Sequence, residues 1–201
     1  MRPERLIAAA LGLTLLALSG PACKRSDDPG ISSKARVMPK NGQVWGRDLA
    51  TGLGLQEWEL CQELGQLDCI SQAHLITMGG VEPTALGIDQ PLANAAVSAP
   101  IAVDRVAMAA CGERYRRDQA GPAVIFGAIL DSAKGADKDK ARDEVASLLV
   151  QRLLAREATQ DEVAALSDLY DAVEPISEDP DRDWAIGACM MVATSTEALF
   201  Y

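Results

Sequence analysis

The sequence predicts an all-α protein: a single compact helical domain of about six to seven helices, following a signal peptide and a flexible tether. Three observations favour this fold class. Apolar residues recur at helical spacing in the C-terminal third, helix-capping patterns precede these runs, and no segment shows the period-two alternation of a half-buried strand. Because 48% of the residues are hydrophobic and only 4% are aromatic, we expect a core built mostly of aliphatic side chains.

The N-terminal residues predict export. Arg2 and Arg5 precede an apolar run, Leu6 to Leu18, and small residues then lead to Cys23. A run of this length suits the apolar part of a secretory signal and is short for a membrane span. We therefore assign residues 1–22 to a signal peptide.

The sequence SGPAC, which ends at Cys23, resembles the cleavage site of bacterial lipoprotein signal sequences. The resemblance implies that Cys23 carries acyl chains and anchors the protein on the periplasmic or cell-surface side of the envelope. The alternative is ordinary cleavage after Ala22, which would give a soluble periplasmic protein. Residues 23–42 mix charges with serine, proline and glycine and lack an apolar period, so we assign them to a flexible tether.

The helical domain is assigned to residues 43–201. Its first helix is predicted to start at Asp48, as the N-cap, and to end at Gly65. A short second helix is expected within residues 67–80, where a glycine pair closes it. The following residues, 79–92, are rich in turn formers and should form an ordered surface loop.

A longer helix is predicted from Pro100 to Asp118, since proline favours the first helical turn and basic residues favour the last. Residues 121–130 then form a short apolar segment that fits either a buried helix or a strand. The next helix, over residues 139–156, carries an apolar stripe. The stripe comprises Ala141, Val145, Leu148, Leu149 and Leu153.

Two more helices complete the predicted domain. Thr159 and Glu162 form a capping box at the start of the first, because each side chain can bond the other residue's backbone N–H. Its apolar face comprises Val163, Leu166, Tyr170 and Val173. The last helix spans residues 179–201, and its inner side comprises Trp184, Ala188, Met191, Val192, Ser195 and Leu199.

The tracts LLVQRLLAREATQDEVAALSDLY and DWAIGACMMVATSTEALFY resemble the C-terminal helices of large exported proteins of planctomycetes and myxobacteria. The matching parts are a leucine-rich helix at Arg152 to Leu154, a capped helix at Thr159 to Leu166 and an ending at Glu197 to Tyr201. Those proteins carry helical domains that are often joined to c-type cytochrome modules. The resemblance implies export, helicity and an association with cytochrome systems.

The cysteines predict disulfides. With Cys23 set aside for lipid, four remain, an even number in an oxidising compartment: Cys61, Cys69, Cys111 and Cys189. Four cysteines allow three pairings. We favour Cys61 with Cys69, because Gly65 lets the chain fold back between them, and Cys111 with Cys189, which would tie the middle helix to the last.

The only histidine, His74, lies five residues after Cys69. Covalent haem attachment would need a CxxCH motif, which the chain lacks. A zinc site of Cys61, Cys69, His74 and Cys111 is an alternative to the disulfides, although the spacing matches no common zinc motif. We expect no cofactor and no metal, with His74 as the one alternative ligand.

Two charged clusters complete the candidates. The arginines Arg114, Arg116 and Arg117 are interpreted as a solvated helix end. The second cluster is an acidic set of Glu57, Glu59, Glu63 and Asp68. Its spacing lacks the alternating oxygen ligands of a calcium-binding loop.

The net charge of −10 argues against a nucleic-acid partner, and the sequence contains no catalytic motif. We expect a non-enzymatic, lipid-anchored envelope protein whose disulfide-stapled domain binds another exported protein. The alternative is an accessory component of an exported cytochrome or redox system that docks through its acidic surface. An enzyme that uses His74 with nearby carboxylates is a third possibility.

Overall fold

The computed structural model describes residues 37–91, 96–132 and 137–201, and the protein is all-α, as the sequence predicts. The predicted signal peptide, residues 1–22, and the predicted lipid-attachment residue Cys23 lie outside these residues. The described helices are α1 (Gly42–Leu53), α2 (Ala99–Ala120), α3 (Gly127–Ser132), α4 (Lys138–Leu154), α5 (Gln160–Val173), α6 (Pro180–Ala193) and α7 (Thr196–Leu199). A small antiparallel hairpin of β1 (Gln62–Glu63) and β2 (Leu67–Asp68) lies between α1 and α2 in the chain.

The core lies where α6 packs against α2, α4 and α5. Trp184 of α6 is fully buried, and its indole N–H donates a 2.8 Å hydrogen bond to the carbonyl of Leu166 in α5. Trp45 of α1 donates in the same way to the carbonyl of Ala193, at 3.0 Å. Each tryptophan therefore buries its apolar ring while its single donor is satisfied, as buried tryptophans require.

The predicted limits of the first helix are wrong. Its N-cap is Asn41, whose side-chain oxygen accepts a 2.9 Å hydrogen bond from the N–H of Val44. The helix ends at Gly54, which adopts the left-handed conformation at φ 63°. Asp48 instead lies on the exposed side of the helix, where it pairs with Lys40 at 2.8 Å.

Of the second predicted helix, within residues 67–80, only one π-helical turn is present, Cys69–Ala73. Asp68 caps this turn by accepting hydrogen bonds from two backbone N–H groups. The described part of the predicted loop, residues 79–91, is non-helical and contains an isolated bridge between Glu82 and Ile88.

The C-terminal half follows the sequence closely. Of the apolar segment 121–130, only residues 127–130 are helical, as the first part of α3, whereas residues 121–126 form neither a helix nor a strand. The capping box of Thr159 and Glu162 is present. The last predicted helix is broken, because α6 ends at Ala193 and Ser195 caps α7 separately. Met191 is 50% exposed, so its assignment to the inner side was wrong.

Candidate functional site

The stretch from Cys61 to His74 folds into a stapled hairpin. A disulfide joins Cys61 to Cys69 across Cα atoms 5.4 Å apart, and the N–H of Cys69 donates to the carbonyl of Cys61. The turn between the strands has positive φ at Leu64 and Gly65, 54° and 69°. Glycine adopts this conformation without strain, so the predicted reversal at Gly65 is confirmed.

The second disulfide joins Cys111 of α2 to Cys189 of α6, with Cα atoms 5.9 Å apart. Both cysteines are fully buried. The predicted pairing is therefore confirmed for both bonds. Because these sulfurs are oxidised, the four-ligand zinc set that included His74 does not form, and no group of three or more potential metal ligands lies together within residues 37–91, 96–132 and 137–201.

Glu63 of the hairpin contacts both His74 and Arg105, and its ion pair with Arg105 joins the hairpin to α2. Nε2 of His74 lies 3.3 Å from one carboxylate oxygen of Glu63, and the other oxygen lies 2.6 Å from Nη2 of Arg105. The hydroxyl of Ser71 donates to Asp68 at 2.7 Å, so it has a partner other than His74. The arrangement positions the hairpin and leaves Arg105 mostly exposed at its rim.

Two members of the acidic set, Glu57 and Glu59, pair with arginines outside the hairpin. Glu57 pairs with Arg47 at 3.2 Å, and Glu59 pairs with Arg117 at 2.6 Å. The N–H of Gln56, followed by Arg117, lowers the pKa of Glu59. These pairs bind the segment before the hairpin to α1 and to the C-terminal part of α2.

Glu113 lies between two arginines of the same helix. Arg116 and Arg117 contact its carboxylate at 2.7 and 2.8 Å, and they lower its pKa from 4.5 to about 2. Since the folded-state pKa is depressed, the stabilisation is present above pH 4.5 and is lost as the pH falls toward 2.

We therefore expect Glu113→Gln to destabilise the protein at pH 6 and to have progressively less effect as the pH falls from about 4.5 to about 2. Urea unfolding of both proteins, followed by circular dichroism across this range, checks the expectation. A constant difference between them would show that Glu113 contributes no pH-dependent stability.

The arginine cluster of α2 is not a simple solvated helix end, because Arg114 is buried. Its Nη2 lies 2.7 Å from Asp118, whose side chain is fully buried. Asp118 also accepts backbone hydrogen bonds from Val124, Ile125 and Phe126, at 2.8 to 3.0 Å. The pair therefore organises the turn that leads into α3. The i, i+4 spacing of Arg114 and Asp118 was a signal for it in the sequence.

An exposed apolar surface surrounds the contact between the hairpin and α2. We call it the docking face and define it by Leu64, Leu67, Ile101 and Met108, whose exposures are 90%, 44%, 71% and 55%. Ile101 and Met108 lie one helical turn on either side of Arg105, which contacts the hairpin residue Glu63. Leu64 follows Glu63 directly, and Leu67 lies opposite Glu63 in the hairpin. The four apolar residues therefore border the ion pair between Glu63 and Arg105.

A shallow groove of about 400 Å³ lies between α4 and α5. Its lining includes Asp143, Ser147 and Gln160, and it does not include His74. The hydroxyl of Ser147 is already engaged, because it donates to the backbone carbonyl of Asp143 at 2.8 Å.

Comparison with known proteins gave no match to a family model, to a curated protein or to a solved structure. Within the described part of the chain, no helix combines the length and the apolar character needed to cross a bilayer.

Proposed function

We propose that this protein is a non-enzymatic, lipid-anchored envelope protein whose stapled helical domain binds another exported protein. The anchor is Cys23, and the domain is exposed on the periplasmic or cell-surface side of the membrane. The docking face carries the proposal. Exposed apolar side chains that are grouped, rather than scattered singly, are typical of protein–protein interaction sites.

The hairpin part of the docking face is cross-linked by a disulfide, which supports a binding role. The Cys61–Cys69 disulfide closes the hairpin, and the ion pair of Glu63 with Arg105 joins it to α2. A surface that is fixed before binding loses little conformational entropy on association. Leu64 at the turn can therefore present its apolar side chain at low entropic cost.

The partner's chemistry follows from the charges on this face. Asp104 lies between Ile101 and Met108 on the outer side of α2, is exposed, and pairs with no cation among the described residues. The whole chain is acidic, with a net charge of −10, so a second copy would be repelled. We infer a partner that covers the apolar side chains and places a basic side chain opposite Asp104.

Photocrosslinking in intact cells tests this proposal. A benzophenone amino acid in place of Leu64 or Ile101 should give one discrete protein adduct of the same mass at both positions. At Met191, a half-exposed apolar residue of α6, it should give none. Asp104→Lys should reduce the adduct roughly tenfold, equivalent to about 1.4 kcal/mol of binding free energy. Equal adducts at Met191, or an unchanged yield with Asp104→Lys, would contradict the proposal.

A second candidate, an accessory component of an exported cytochrome or redox system, is favoured by the acidic surface. Residues 168–183 contain seven acidic residues and one basic residue. Asp168, Asp171 and Glu174 are exposed there. A dense acidic surface attracts a basic partner by electrostatic steering.

This second candidate predicts saturable binding of a basic c-type cytochrome that weakens steeply with salt and with Asp171→Lys plus Glu174→Lys. The photocrosslinking at the docking face should then be unaffected by the same double variant. Calorimetric titration at low and high ionic strength checks the binding. An affinity that changes neither with salt nor with the double variant would exclude this role for the acidic surface.

A further inference from the structure

The ends of the described chain meet in a short antiparallel ribbon. Pro39 forms a bridge with Phe200, the N–H of Lys40 donates to the carbonyl of Leu199, and the N–H of Tyr201 donates to the carbonyl of Met38. Residues 37–40 had been assigned to the tether, yet they pair with the C-terminal residues of the domain. The ribbon therefore joins the two ends of the folded chain.

Large apolar side chains are exposed along this ribbon. Val37, Met38 and Tyr201 are 68%, 59% and 70% exposed. Met38 lies opposite Tyr201, and residues opposite each other in an antiparallel pair share a face. The ammonium of Lys40 lies 5.7 Å from the centre of the Tyr201 ring, which places it on the same face. We call this surface the terminal edge: Met38, Lys40 and Tyr201.

The sequence that directly precedes the ribbon is basic. Residues 24–36 contain four basic residues and two aspartates, and they connect Cys23 to Val37. An acylated cysteine keeps this short segment close to the bilayer, and basic side chains favour anionic lipid. Tyrosine and lysine beside apolar side chains are also the residue types that occupy the membrane–water interface.

We propose that the terminal edge is a membrane-contacting surface that rests the domain on anionic phospholipid next to its anchor. This inference rests on the proposed acylation of Cys23. The apolar side chains of Met38 and Tyr201 enter the headgroup region, Lys40 keeps its ion pair with Asp48, and the basic sequence that precedes Val37 supplies the charge that favours anionic lipid. The domain then has a defined orientation relative to the bilayer.

Lipid-side photolabelling tests the terminal edge. The full chain is produced in an exporting bacterial host and reconstituted in vesicles of phosphatidylethanolamine and phosphatidylglycerol that contain a diazirine-bearing phosphatidylglycerol. After illumination, we expect several-fold more lipid adduct on residues 37–40 and 199–201 than on residues 174–178. Ile176 in that reference segment is 85% exposed and thus provides a matched apolar control.

Two variants sharpen the test. Met38→Ser with Tyr201→Ser should remove most of the labelling at the terminal edge, whereas Ile176→Ser should leave it unchanged. If the intact mass shows an acylated Cys23 but labelling is equal at residues 174–178, the terminal edge alone is overturned. If the mass shows no acylation, the proposed anchor fails, and this inference fails with it.

Discussion

Removing the disulfide between Cys111 and Cys189 should lower the free energy of unfolding by about 4.5 kcal/mol, because the bond closes a long loop in the unfolded chain. The two cysteines are 78 residues apart in sequence. Replacing both with alanine releases that constraint and leaves a small void between α2 and α6, which adds to the loss. Urea denaturation of the double-alanine variant, followed by circular dichroism, measures the change.

The matched control is the double-alanine variant of Cys61 and Cys69. These cysteines are only eight residues apart, so the same chain-entropy reasoning gives about 2.5 kcal/mol. The hairpin disulfide should therefore matter less for global stability and more for the docking face that it holds in place. Equal losses for the two variants would show that loop length does not govern the stabilisation in this protein.

The pairing of the cysteines could be predicted because four cysteines allow only three pairings and one of the pairs has a local signature. Gly65 lies between Cys61 and Cys69 and permits the reversal that brings them together. The helices α4 and α5 could also be predicted from the sequence, because their apolar spacing and the capping box of Thr159 involve only neighbouring residues. In these elements, local sequence and tertiary packing favour the same structure.

The start of α1 could not be predicted in this way, because Asn41 and Asp48 are both good N-caps. Packing decides between them. A Cβ atom at Gly42 would lie 2.6 Å from Cβ of Met78, so the first residue of α1 packs closely against the turn that contains Met78. That contact depends on the fold of residues far along the chain.

The candidate site was also only partly visible in the sequence. The contacts of Glu63 with His74 and with Arg105 join residues that are eleven and forty-two positions apart, and spacing gives no indication of them. The apolar residues of the docking face were hidden for a different reason. Isoleucine and methionine are residue types that usually lie in a core. Because α2 buries other apolar residues, such as Val106 and Ala107, the sequence gives no sign that Ile101 and Met108 are exposed.

Asp118→Ala should destabilise the protein by about 3–5 kcal/mol, because it leaves the buried guanidinium of Arg114 without its counter-ion. The substitution also removes the acceptor for the backbone N–H groups of Val124, Ile125 and Phe126. Asp104→Ala, at an exposed position of the same helix, is the control and should change stability by less than about 0.5 kcal/mol. Urea unfolding measures both variants.

The double variant Arg114→Met with Asp118→Leu separates the two effects. It removes both charges, so no uncompensated charge remains buried, and it should be more stable than Asp118→Ala alone. It should still fall short of the natural protein, since the three N–H groups of the turn before α3 lack their acceptor. If the double variant were as unstable as the single one, the backbone hydrogen bonds would account for the whole effect. If the double variant instead regained the full stability of the natural protein, the whole loss in Asp118→Ala would be due to the uncompensated charge on Arg114.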